Sequence, residues 1–413
     1  MVETNVEVAE QTEAQQWMEL DKKYVLQTYA RYPLALRRGK GCYLYGVDGT
    51  KYLDLLSGIG VNALGHAHPR ITKVIQKQAG LLLHTSNLYH HEYTGRLAKR
   101  LSEISGLQRA FFCNSGAESM EGALKMVRAH GNRVSAEKHE IIALENSFHG
   151  RTLGALSITG QPKYQNDFQP LLPGPRWVPA NDLASLEAAF SERTSGVVIE
   201  GIQGEGGIHP MRAEFLRAAR RLADQYDALL VFDAIQCGVG RTGQYWSHQL
   251  IAPDVQPDIM VTAKPLSCGL PMGVVLCNER AAAAIRPGMH GTTFGGNVLA
   301  SAVALEFLEI LEELLPQINR VGEYFRAGLR QLQAKHSFIK EVRGHGLMIG
   351  VELDHPGKDY VVKGMEQGIL LNCTHDTVLR FLPPYILTEK EVDKALKVLA
   401  KLFRKYRKPK NNG

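Results

Sequence analysis

The sequence predicts an α/β protein: a large unit on a mostly parallel, doubly wound sheet, joined to a smaller α+β unit. Three observations carry this. From about residue 70 to residue 300, short apolar runs alternate with amphipathic stretches at helical spacing, the pattern of strand–helix–strand crossovers. The runs are continuously apolar and rich in β-branched residues, as strands buried on both faces are. Beyond a long helical stretch near 298–314 the alternation gives way to two further helices and two strands. At 413 residues the chain is long enough for two domains.

In chain order, residues 1–20 are polar and acidic and read as frayed or loosely helical. Residues 43–54 read as a hairpin, with Asp48-Gly49 supplying the tight turn between alternating strands. Strands are expected at 110–113, 140–144, 196–200, 228–233, 259–263 and 273–277, and helices at 91–105, 118–130, 183–192 and 213–226. In the smaller unit, 317–335 and 389–406 read as helices, and 346–353 and 378–382 as strands. The expected division is an N-terminal segment, 1–60, that contributes to the small domain, a large domain over 61–314, and a C-terminal small domain over 315–413.

Composition excludes several classes. Apolar content of 44% and charge of 22% are ordinary for a globular protein. The net charge of +6 is mild, and part of it is a tail cluster of Lys401, Arg404, Lys405, Arg407, Lys408 and Lys410. A solvated helix end explains that cluster better than nucleic acid does. No stretch of 18 apolar residues and no secretory leader is read, so a cytoplasmic enzyme without membrane contact is the expectation. Six cysteines without CxxC spacing read as reduced thiols. His66, His68, His90 and His91 lack the spacing of a zinc motif, so no metal is expected.

Two strand ends carry the chemistry. The run Ala228–Phe232 closes on Asp233, and the run Ile259–Ala263 closes on Lys264. Taken singly, such an Asp is usually a turn or cap residue, and such a Lys a solvated edge charge. As a pair at neighbouring strand ends they project into the crevice where α/β sheets bind ligands. That is the requirement of pyridoxal phosphate (PLP) chemistry: an amine to form a Schiff base and an acid to keep the pyridine nitrogen protonated. The turn Asn114-Ser115-Gly116-Ala117 enters a helix whose unpaired N–H groups suit a phosphate. Phe148-His149-Gly150-Arg151 offers an aromatic face and a guanidinium for a carboxylate. Gly291-Thr292-Thr293-Phe294-Gly295-Gly296-Asn297 is a third small, hydroxyl-rich loop.

Together with VNALGH (61–66), HTSNLYH (84–90), NSGAES (114–119), FHGRT (148–152), EGIQGEGG (200–207), FDAIQCGVGRTG (232–243), PDIMVTAKPL (257–266), GTTFGGN (291–297) and LRFLPP (379–384), these blocks make the chain resemble the class III PLP-dependent aminotransferases, and within them the acetylornithine aminotransferases, from about residue 25 to residue 405. The resemblance implies a fold-type I enzyme with a seven-stranded sheet. It implies transfer of the δ-amino group of N2-acetyl-L-ornithine to 2-oxoglutarate, in arginine biosynthesis. Lys264 would be the Schiff-base lysine and Asp233 the partner of the pyridinium. Gln236 would bond the ring hydroxyl, Phe148 would stack on the ring, and Ser115, Gly116 and Ala117 would hold the phosphate. Thr293 would reach the phosphate of a partner subunit, making a homodimer with shared sites, and Thr292 would lie near the substrate. Arg151 would bind the α-carboxylate of acetylornithine or the side-chain carboxylate of glutamate, and Arg380 the α-carboxylate of glutamate or 2-oxoglutarate. Glu205 would be the gate that neutralises Arg380 when acetylornithine binds, with Glu200 supporting it.

Two positions depart from the family pattern. Ala234 stands where a Glu usually follows the pyridine-binding Asp, and Pro265 where a Gly usually follows the lysine. Other ω-amines, namely N-succinyl-diaminopimelate, N-acetyl-lysine, ornithine and 4-aminobutyrate, remain alternatives, because Arg151 alone cannot choose among them. A non-catalytic relative, or a PLP racemase or aminomutase, is a more distant reading.

Overall fold

The computed structural model describes residues 11–405. Its centre is a seven-stranded sheet of β1 (Arg109–Cys113), β2 (Glu140–Leu144), β3 (Pro175–Val178), β4 (Thr194–Glu200), β5 (Leu229–Asp233), β6 (Ile259–Thr262) and β7 (Gly273–Cys277). The spatial order is β1-β7-β6-β5-β4-β2-β3. β7 runs antiparallel to both its neighbours, and the pairings among β2 to β6 are parallel. Strands β4 and β5 are buried at every position, which is why their sequences show no alternation. The sheet is the mostly parallel one expected. β3 is the strand the sequence did not signal: it opens on Pro175 and is exposed at two of its four positions, as an edge strand tolerates.

The register of the central strands sets up the site. Asp233 pairs with Glu200 on one side and Val261 on the other, so Lys264 stands three residues past its neighbour's level. After Thr262 the chain tightens into a short 3₁₀ turn over Lys264–Ser267. Pro265 occupies the second position of that turn, where a missing N–H leaves no bond unmade.

Two further four-stranded sheets flank the central one. The first contains the 43–54 hairpin, with Leu36–Lys40 on one side and Ile369–Leu370 on the other. The second is ordered Ile339–His345, Met348–Leu353, Val378–Phe381, Asn372–Thr374. The last helix covers Glu389–Lys405, and Arg407, Lys408 and Lys410 lie outside the described residues. At the other end, residues 1–10 also lie outside them, and Glu13–Tyr24 is a helix capped by Thr12 and Gln15 with no buried residue.

The expected pair of helices over 298–314 and 317–335 is one helix, Val298–Gln333, with Pro316 inside it. It runs across the expected domain boundary at 314/315. Proline removes the hydrogen bond to the carbonyl four residues earlier, but that residue, Glu312, is exposed, as is Pro316, so the freed carbonyl lies on a face open to solvent. Residues 57–60 form a turn of the opposite hand: Ser57, Gly58, Ile59 and Gly60 have φ of 49°, 65°, 61° and 80°. Left-handed backbone costs L-residues roughly 1–2 kcal/mol each, less for glycine. Asp54 Oδ1 accepts the N–H groups of Leu56 and Ser57, and Ser57 Oγ donates to Leu382 O at 2.6 Å. These bonds hold the turn and deliver Val61 to the rim of the main cavity.

Candidate active site

A cavity of about 400 Å³ opens at the carboxyl ends of β4, β5 and β6. Its walls bring together Ser115, Gly116, Ala117, Phe148, Arg151, Glu205, Asp233, Gln236 and Lys264. Arg380 lies just behind, bonded to two of the lining residues. Thr292 and Thr293 are not among the lining residues. The Thr292 hydroxyl accepts from Asn114 Nδ2 at 3.0 Å, and Thr293 is exposed.

The floor is a buried set of acids around one imidazole. Asp233 Oδ2 meets His149 Nδ1 at 2.7 Å, and Oδ1 accepts the Ile235 N–H at 3.0 Å. His149 Nε2 has no partner. Glu200 sits one strand over, its oxygens accepting the N–H groups of Phe148 and Gly204. Burial, and next the Asp233 charge, push the Glu200 carboxyl up to about 7 against the pull of His149. Burial lowers the Lys264 amine from its ordinary value, while Glu205 and Asp233 pull it back.

One side holds an ion pair. Arg380 Nη1 donates to Glu205 Oε1 at 2.5 Å and to Gln236 Oε1 at 3.1 Å, and its Nε donates to Asn372 Oδ1 at 2.9 Å. Gln236 Nε2 donates in turn to Glu205 at 3.3 Å. Burial alone would raise the Glu205 carboxyl, but Arg380 overcomes it and holds the group below the ordinary range. The lining also includes Arg151, exposed, its guanidinium 3.8 Å over the Tyr164 ring and 5.5 Å from that of Phe148.

The phosphate end is the start of the helix Gly116–Val134. Ser115 caps it, its Oγ accepting from Glu118 N at 3.1 Å. The first-turn N–H groups of Gly116 and Ala117 have no acceptor within the helix, and both residues line the cavity.

His149 and Asn372 are contacts that sequence reasoning missed. His149 lies inside the FHGRT block, but nothing in that spacing says its ring meets an acid 84 positions away. Among the described residues no group of three or more His, Cys, Asp or Glu side chains could hold a metal ion. His66 bonds Asp54 at 2.8 Å, and all six cysteines are free. No helix among the described residues is long and apolar enough to cross a membrane.

A half-buried lysine, a buried carboxylate on the next strand, an aromatic wall and a helix start with free N–H groups fit PLP as a donor set, and they define a PLP-dependent enzyme of fold-type I. Residues 24–403 match the family model for aminotransferase class-III. The chain is 49% identical to the acetylornithine aminotransferase of Methanocaldococcus jannaschii, over 95% of this chain and 99% of that one. To the acetylornithine aminotransferase of Aquifex aeolicus it is 43% identical, over 92% and 100%. Among solved structures, the ornithine aminotransferase of Toxoplasma gondii superposes with a TM-score of 0.91 at 34% identity, covering 98% of this chain and 99% of that one. The N-acetylornithine aminotransferase of Stenotrophomonas maltophilia gives 0.81 at 34% identity, covering 94% and 99%. The chain belongs to the class III aminotransferases, and its cofactor is PLP.

Proposed function

We propose that this chain transfers the δ-amino group of N2-acetyl-L-ornithine to 2-oxoglutarate, giving N-acetyl-L-glutamate 5-semialdehyde and L-glutamate, as a cytoplasmic step of arginine biosynthesis. One observation carries the reading: the cavity is lined by Glu205, which neutralises Arg380 behind it, and by Arg151, which has no carboxylate partner among the described residues. Such a cavity can read one carboxylate or two. Acetylornithine presents one and meets Arg151, while Glu205 keeps Arg380 from standing buried and unpaired, which would be costly. Glutamate and 2-oxoglutarate present a second carboxylate, which displaces Glu205 from Arg380.

Bound PLP supplies an aldehyde for the amine and a ring that draws off electron density. Lys264 would hold the cofactor through Nζ and would serve as the base for the proton on the amine-bearing carbon of the donor. Asp233 would accept the hydrogen bond of the protonated ring nitrogen and Gln236 that of the ring hydroxyl. Phe148 would cover one ring face, and Ser115, Gly116 and Ala117 would bind the phosphate. The exposed loop of Thr293 and Phe294, with Leu88 and Tyr89 (83% and 70% exposed), supports pairing with a second copy whose phosphate Thr293 would reach.

The likeness to ornithine aminotransferase structures keeps ornithine as the second reading. A single-turnover panel separates the two. The purified yellow holoenzyme is mixed with N-acetylornithine, ornithine, N-acetyl-lysine, N-succinyl-diaminopimelate and 4-aminobutyrate, and the loss of visible absorbance is timed. Fastest bleaching by acetylornithine is expected; a faster reaction with another amine would replace it as the donor.

A further inference from the structure

We infer that Tyr164 is a positioning residue for Arg151: its ring is the shelf that holds the guanidinium ready for a substrate carboxylate. This rests on the reading of Arg151 as the carboxylate site. Arg151 lines a cavity bordered by Glu200, Glu205 and Asp233, yet forms no ion pair with any of them. Its guanidinium lies instead over an aromatic face, 3.8 Å from the Tyr164 ring centre. A cation over a ring face keeps its N–H edge free, so the fork that binds a carboxylate is held in place without being used up.

The shelf is fixed by its surroundings. Tyr164 stands on the short turn Pro162–Gln165. Gln161 donates from Nε2 to the carbonyls of Asn146 and Ser147, and Gln165 donates from Nε2 to those of Leu156 and Thr159, at 2.8–3.3 Å. The two bonds from Gln161 tie the turn to the loop that carries Phe148 and Arg151, and the two from Gln165 tie it to the end of the helix Leu153–Ile158 that follows that loop. The Tyr164 ring also meets the Phe148 ring edge-on, at 6.0 Å and 84°. An arginine without a salt-bridge partner would otherwise sample many rotamers, and ordering it would weaken every binding event.

The test is a double-mutant cycle on the holoenzyme with Tyr164→Leu, Tyr164→Phe and Arg151→Ala, reading KM and kcat for N-acetylornithine, together with cofactor absorbance and Tm. Tyr164→Leu is expected to raise KM roughly three- to tenfold with kcat and absorbance nearly unchanged. Tyr164→Phe, which keeps the face, should stay within about twofold of wild type, and Tyr164→Leu should add nothing in the Arg151→Ala background. An equal rise in that background would mean that the tyrosine acts through the fold, and an equal effect of Phe and Leu would mean that the hydroxyl acts; either overturns the inference. If Arg151→Ala raises KM but Tyr164→Leu does not, this inference alone fails. If Arg151→Ala leaves KM unchanged, the carboxylate reading of Arg151 fails with it.

Discussion

The two arginines of the cavity serve opposite designs. Arg380 is 1% exposed, and its donors meet Glu205, Gln236 and Asn372, which lie on three separate segments of the chain. Arg151 is exposed, forms no ion pair among the described residues, and lies over aromatic rings. A buried guanidinium must have a partner at all times, so it can change ligands but never be left empty. An exposed one can wait in water. On the proposed reading the same functional group works as an exchangeable contact in one case and a standing one in the other. The floor of the cavity carries Lys264 and Asp233, and Asp233 is held by its bonds to His149 and the Ile235 N–H.

Four experiments distinguish the roles of these groups. The largest effect belongs to the shared floor: Lys264→Ala is expected to cut both half-reactions by roughly 10⁴-fold or more, and near wild-type single-turnover rates with unchanged cofactor absorbance would remove Lys264 from the chemistry. Next, Arg380→Ala should slow the 2-oxoglutarate half-reaction by about 10- to 100-fold, the worth of hydrogen bonds to a charged group, and the acetylornithine half far less. Equal losses in the two halves would erase the distinction between the walls. Glu205→Gln keeps the shape and removes the charge, so a smaller shift of about tenfold is expected, toward tighter 2-oxoglutarate and weaker discrimination against it when acetylornithine is present.

The smallest effect is a difference of sign between two glutamates five residues apart. Glu205 has a lowered pKa in the fold, so its share of stability is present above the ordinary carboxylate range and is lost as pH falls through the lowered value. Glu200 is raised from 4.5 to about 7. The folded state therefore holds this proton more tightly than the unfolded chain does, and stability falls as pH rises through that window. Urea unfolding at stepped pH should show Glu200→Gln flattening that decline and Glu205→Gln flattening the acid loss; the same slope change from both would contradict the assignment.

Much of this was legible because strand burial leaves a strong mark in sequence. The continuous runs before Asp233 and Lys264 located both strand ends, and the structure puts both on one cavity. What stayed hidden depended on register or on distant partners. That Glu200 sits level with Asp233 follows from strand pairing, which no local pattern encodes. The bond from His149 to Asp233 and that from Asn372 to Arg380 join side chains on different segments. Pro316 misled in the other direction: proline is read as a break, but here the carbonyl it abandons lies on a helix face open to solvent. At Ala234 the structure shows a small side chain, 2% exposed, packed within the apolar core, so the carboxylate usual in the family is replaced there by packing.

The mirror-handed turn at 57–60 carries a consequence for how this protein tolerates change. A saturation library scanned across the chain should show a narrow trough of survivors there, deepest at Gly58 and Gly60, where any side chain must adopt a twist its chirality resists. Ile59 would stand out inside that trough, because trimming it to glycine relaxes the backbone without losing a side-chain hydrogen bond such as that of Ser57 to Leu382. Breeding new specificities by randomising this rim would thus succeed through neighbours such as Val61 rather than through the turn itself.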